Sequence, residues 1–194
     1  MYKPLFLTRN QIVEGYYHPG KRLAEVVKRI LKQQDESLFI LDYKSLLYLQ
    51  TSSQKWAQGY EVLRQPYTET HAYAKQDFQQ LLQRKITVYL TYTERDQQQK
   101  DFSSNMETQL FSFLHHLFQQ MQQHKQAFPI RFILMDDEAI KYIPTLPAFI
   151  VACCGVHIGI CLFVDNKTTL LAGYTKKEVD TLYTNSLVIR EGNK

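Results

Sequence analysis

Apolar residues in this chain fall into short unbroken blocks, separated by stretches in which they recur every three or four positions. The blocks are Ser37 to Asp42 (SLFILD), Ile86 to Tyr92 (ITVYLTY), Ile130 to Met135 (IRFILM, interrupted only by Arg131) and Ile158 to Val164 (IGICLFV). Runs of this length without polar alternation suit strands covered on both faces, as in a parallel sheet. Weaker strand signals lie at Leu5 to Leu7 or Ile12-Val13, at Tyr60 to Leu63 and at Ser186 to Ile189. Helical spacing links Leu23, Val26, Val27, Ile30 and Leu31, and further helices are expected at Ser45 to Ala57, with Gly59 as terminator, at Tyr73 to Gln83 and at Lys176 to Tyr183. Met106 to Gln123 carries a wide apolar face, which predicts the most buried helix, and Ala148 to Cys153 reads as a short one. Strands alternating with helices predict an α/β fold, three layers with a mostly parallel central sheet flanked by helices and joined by right-handed crossovers. No internal repeat or long linker divides residues 1–194, so a single domain is expected.

Composition narrows the function classes without choosing one. A chain of 194 residues, 44% hydrophobic, is long enough for a sizeable core. The net charge of +4 admits an acidic partner without demanding nucleic acid. Three cysteines, two of them adjacent, do not form a disulfide framework and read as free thiols in a reducing, cytoplasmic setting. No apolar run approaches the ~20 residues of a spanning helix, so no direct membrane insertion is expected.

Chemistry concentrates at two places. The first is IRFILMDDE, where a buried-strand signal ends in Asp136, Asp137 and Glu138. Acids at the carboxyl end of such a strand sit where ligands bind in open α/β sheets. The second is GYYHPGKR, whose Gly15, Gly20 and Lys21 have the G-x-x-x-x-G-K spacing of a phosphate-binding loop placed before a helix. In a working loop, backbone N–H groups face the β-phosphate, the lysine reaches the β and γ oxygens and a following hydroxyl ligates magnesium. Here Arg22 replaces the hydroxyl residue, and Pro19 has no N–H to offer. Cys153, Cys154, His157 and Cys161 do not fit a usual zinc spacing and read as small-residue packing. His115 and His116 fall on the long helix, one exposed and one half-buried.

The order of these segments resembles the nucleotide-binding domain of the TraG-like coupling ATPases of conjugation and type IV secretion. SLFILDYKSLLYLQTSSQKWAQGYEVL is similar to that family's second strand, its D-P-K-G-E turn, the helix after it and the G-Y-x-V start of the next strand. Asp42 and Lys44 match, while Tyr43 and Ser45 stand where Pro and Gly are usual. IRFILMDDEAIKYIPTLPAFI resembles the second acid-ended strand, and CLFVDNKTTLLAGY and TNSLVIREG resemble the sensor strand and the terminal segment. The family's inserted helical domain is not expected here, since only about twenty residues separate Leu63 from Ile86, and its amino-terminal membrane helices are not expected either.

The resemblance implies a RecA-like, P-loop-type domain in a stripped form. It implies that Asp137 holds the magnesium shell, that Glu138 acts as general base, and that Gly15, Gly20, Lys21 and Arg22 occupy the ATP-binding loop. It also aligns Asp165 with a sensor glutamine, and an arginine expected near Cys154 to His157 is missing. Departures at Pro19, Arg22 and Asp165 lead to the expectation of weak or no ATP hydrolysis, with ATP and Mg as the implied cofactors. The implied role is structural or regulatory, among the proteins of a secretion or conjugation machinery, with self-association suggested by the family's hexameric rings. The alternative is an active minimal ATPase moving DNA or protein, and the basic first thirty residues with the thirteen tyrosines leave DNA open as a partner.

Overall fold

Seven strands form one sheet in the order β3-β4-β2-β5-β6-β1-β7, and every neighbouring pair is parallel. They are β1 (Gln11–Glu14), β2 (Ser37–Tyr43), β3 (Glu61–Pro66), β4 (Ile86–Tyr92), β5 (Ile130–Met135), β6 (Ile158–Val164) and β7 (Leu187–Arg190). The helices are α1 (Pro19–Lys32), α2 (Leu46–Ala57), α3 (Glu94–Gln97), α4 (Leu146–Cys153), α5 (Lys167–Leu171) and α6 (Lys176–Thr184). This computed structural model describes residues 9–15, 19–69, 83–98, 108, 112, 115–119, 128–135, 143–153 and 157–190. The unbroken apolar blocks are the central strands: every residue of β6, and all but the last of β2 and β5, is buried.

The strand order explains how the layers arise. Connections through α1 and α2 run towards the β3 edge, whereas those through α4 and through α5 with α6 run the other way. With right-handed crossovers, opposite directions place helices on opposite faces. The core divides accordingly. Phe39, Leu41, Phe132 and Leu134 face a cluster with Leu146, Ile150, Val179 and Leu182, and the rings of Phe39 and Phe132 stack at 5.2 Å. Leu38, Ile40, Ile133 and Phe163, one residue out of phase, face Val26, Ile30 and Leu47 of α1 and α2. The result is a three-layer α/β arrangement of the kind a RecA-like domain has, with a sheet parallel throughout.

The expected first strand is Ile12-Val13 extended to Gln11–Glu14, and Leu5 to Leu7 lie outside the described residues. The Tyr73 to Gln83 helix lies almost wholly outside them too. Of Met106 to Gln123, the described residues 108, 112 and 115–119 are helical, and Leu117 is fully buried. Two short helices were not signalled by periodicity. In α3 and α5 the starts are fixed instead by Thr93 in a capping box with Asp96, and by Asn166, whose side chain accepts from Thr168 and Thr169 N–H. Among the described residues no helix is long and apolar enough to cross a membrane.

Three buried charged side chains shape the amino-end edge. Arg131 donates to both oxygens of the fully buried Glu36, at 2.6 and 2.8 Å, and to the carbonyl of Arg9 at 3.0 Å. Burial pushes the Glu36 carboxyl up, against the pull of Arg131. Lys55 of α2 is fully buried as well, donates to the Gln33 carbonyl just beyond α1, and lies 4.2 Å from the centre of the Tyr60 ring. With a carbonyl as its hydrogen-bond acceptor, its ammonium is pushed down from 10.5 to about 8, by burial first and by nearby Lys85 second.

Candidate functional site

The strand directions put a crevice between β1 and β6. The connection leaving β1 goes to one face of the sheet and the connection leaving β6 goes to the other, which is the topological condition for a ligand site at the carboxyl ends. Glu14 and Val164 are paired in register, so Gly15 and Asp165 follow them at the same edge. Met135, the last residue of β5, pairs with Phe163 one position earlier, which brings the end of that strand to the same edge. Asp136, Asp137 and Glu138 lie outside the described residues.

Gly15 closes the crevice on one side. Its φ of 107° is left-handed territory where a β-carbon is strained, and its N–H donates to the Asp165 carbonyl at 3.1 Å. Helix α1 opens at Pro19, a residue suited to a first helical position because its missing N–H is one no helix uses. Gly20 and Lys21 follow in that first turn and are exposed. No acidic residue stands in the first turn to offset the positive helix end.

The decisive contact joins two of the three departures from a working nucleotide site, one in the phosphate loop and one after β6. Arg22 forms an ion pair with Asp165, and both side chains are only partly exposed, at 13% and 31%. The position where a hydroxyl was expected and the position where a neutral amide was expected thus neutralise one another. With its guanidinium engaged by that carboxylate, Arg22 offers an incoming phosphate little net positive charge. Neither sequence position discloses this alone. The available signal is that the two changes carry opposite charge.

Asp42, matched by its sequence to the D-P-K-G-E turn after a second strand, is engaged elsewhere. It is fully buried, and its two oxygens accept the N–H groups of Leu47 at 2.9 Å and Tyr48 at 2.8 Å. It therefore caps α2, in place of Ser45, whose side chain makes no cap bond. Burial raises its carboxyl to about 6, against the lowering effect of those N–H groups. Lys44 and Ser45 take φ of 53° and 60° to turn the chain into the helix, and Lys44 pairs with Glu94. On the other side of β1, Glu14 is buried and accepts from the Tyr183 hydroxyl and, at 2.9 Å, from Arg190 Nε. Burial and that carboxylate hold the Tyr183 hydroxyl far above its ordinary range.

The remaining candidates separate. Cys153 packs in the cluster around α4 and Cys161 in the cluster on the opposite face, both as free buried thiols. Cys154 lies outside the described residues, and among the described residues no three metal-ligating side chains converge. His115 is exposed and His116 half-buried. A cavity of about 210 Å³ opens at the amino-end edge beside Arg29, Lys32 and Arg131, but Arg29 pairs with Glu25 and Arg131 with Glu36. No protein-family model, curated protein or solved structure matches the chain.

Proposed function

We propose that this chain is a TraG-like, P-loop-type domain whose nucleotide crevice is closed from within, and that it serves a type IV secretion or conjugation apparatus in the cytoplasm as a structural or regulatory component. The observation that supports this reading most is the Arg22–Asp165 ion pair across the carboxyl ends of β1 and β6. A working site at this place needs a hydroxyl for magnesium and an open anion position beside the helix start. Arg22 cannot ligate a cation, and its guanidinium already holds a carboxylate. The donor set therefore does not fit a magnesium nucleotide in the usual way, and no hydrolytic step is assigned to it.

The rival reading is a minimal ATPase, favoured by one observation: Lys21 is exposed in the first turn of α1, where a loop lysine reaches phosphate. Binding and turnover of ATP with magnesium separate the two. The closed-crevice reading expects no turnover, little binding in the natural chain, and affinity for ATP or inorganic phosphate at least about tenfold higher in Asp165→Asn, which removes the carboxylate charge from beside Arg22. Magnesium-dependent turnover that disappears in Asp137→Asn refutes it. The ATPase reading expects nucleotide affinity to fall sharply in Lys21→Ala, and equal binding by both proteins rejects that.

A further inference from the structure

Helix α2 turns an apolar face outwards. Its buried residues are Leu47, Thr51 and Lys55, at every fourth position, while Leu49 is 72% exposed, Trp56 74% and Leu46 37%. With the exposed Ser53 these residues stand at 46, 49, 53 and 56, a three-four-three spacing that forms one straight seam on a helix. The only charged residue of α2 is the buried Lys55, so the outward face carries no charge at all. Charged groups stand off the seam, in the Lys44–Glu94 pair and in Arg64, whose guanidinium lies over the Tyr48 ring at 5.3 Å. An apolar centre with a charged rim is the anatomy of an interface.

We infer that this seam binds a second copy of the same chain, through a two-fold contact of α2 against α2. The spacing is self-complementary. With the axis midway between residues 49 and 53, Leu46 faces the partner's Trp56 and Leu49 faces the partner's Ser53, so each large side chain on the inner positions meets a small one. Chains with a net charge of +4 repel at a distance, and an uncharged face is the place where two of them meet without opposing like charges. The antiparallel arrangement also sets the positive start of each α2 against the negative end of the other. A helix of 12 residues is about 18 Å long. One face of it covers on the order of 300 to 400 Å² per chain, about half a standard interface, so the dimer is a weak, concentration-dependent one.

The test is sedimentation of the full chain over a concentration series, read together with the emission of Trp56, the only tryptophan present. The expected result is a monomer–dimer equilibrium in which emission shifts to shorter wavelength as dimer forms. Leu49→Glu and Ser53→Lys, both at outward positions that leave the fold intact, each weaken the dimer about tenfold or more. The double variant Leu49→Glu/Ser53→Lys, and an equal mixture of the two single variants, recover it because each glutamate then meets a lysine. A chain that stays monomeric with solvent-exposed Trp56 emission overturns the proposal, as does a dimer indifferent to Leu49→Glu, or single variants that combination fails to rescue.

Discussion

Replacing Lys55 by Met removes a buried ammonium and keeps a flexible chain of similar length. The native lysine donates to the Gln33 carbonyl and lies against the Tyr60 ring, yet burial lowers it from 10.5 to about 8. A depression of that size corresponds to about 3 kcal/mol. Its sign follows from proton binding. Below pH 8 the lysine is charged in both folded and unfolded chains, and the folded state carries the full penalty. Between pH 8 and 10.5 the unfolded chain binds more protons, so the contribution of Lys55 to stability rises with pH. Other groups act in the opposite direction: Cys161 is raised from 9.0 to about 11 and Tyr89 from 10.0 to about 12, and each loses stabilising influence as pH climbs through those windows. The difference between the natural chain and Lys55→Met cancels them. Urea unfolding at pH 7, 8, 9 and 10 is expected to show the natural chain gaining about 2 to 2.5 kcal/mol relative to the variant across that range. A difference that stays constant, or that shrinks as pH rises, refutes the reasoning.

Two further outcomes are expected from buried charge. Arg131→Met strands the fully buried Glu36 and costs about 3 to 5 kcal/mol in urea unfolding at pH 7, whereas Glu36→Leu combined with Arg131→Met recovers most of that loss. Asp42, raised from 3.8 to about 6, keeps its proton longer in the folded chain than in the unfolded one, so the natural protein gains stability relative to Asp42→Asn as pH falls from 6 towards 4. Paired thermal melts over that range check the direction.

Much of the architecture was legible because parallel strands buried on both faces have to be apolar without interruption. SLFILD, ITVYLTY, IRFILM and IGICLFV needed no partner information to be recognised, and they became β2, β4, β5 and β6. The single charge in these runs besides Asp42, Arg131, was less informative, since its burial depends on Glu36 far away in sequence. Helix α2 shows where local pattern fails. Leucines and a tryptophan suggest an inward face and a lysine an outward one, but the fold buries Lys55 and exposes Leu49 and Trp56. That orientation is set by the turn at Lys44 and Ser45 and by the grip of Asp42 on the first N–H groups, neither of which is a periodic signal. The candidate crevice was legible in one half. Gly15, Gly20, Lys21 and Arg22 stand out by spacing, but the carboxylate that meets Arg22 comes from a residue 143 positions away.

The place of β1 in the sheet also governs the order in which the molecule can be built. Both of its neighbours, β6 and β7, come from the stretch between Ile158 and Arg190. A chain made from its amino end therefore extrudes β1 and α1 long before either neighbour exists. Meanwhile β2, β3, β4 and β5 can already pair among themselves. On the ribosome, β1 remains an unmatched segment until the stretch from Ile158 to Arg190 emerges, exposed to chaperones and to neighbouring chains. Its insertion between two late strands is then a long-range closing step, the kind that makes parallel folds slow. The candidate crevice, which needs β1 and β6 side by side, is among the last features of the molecule to form.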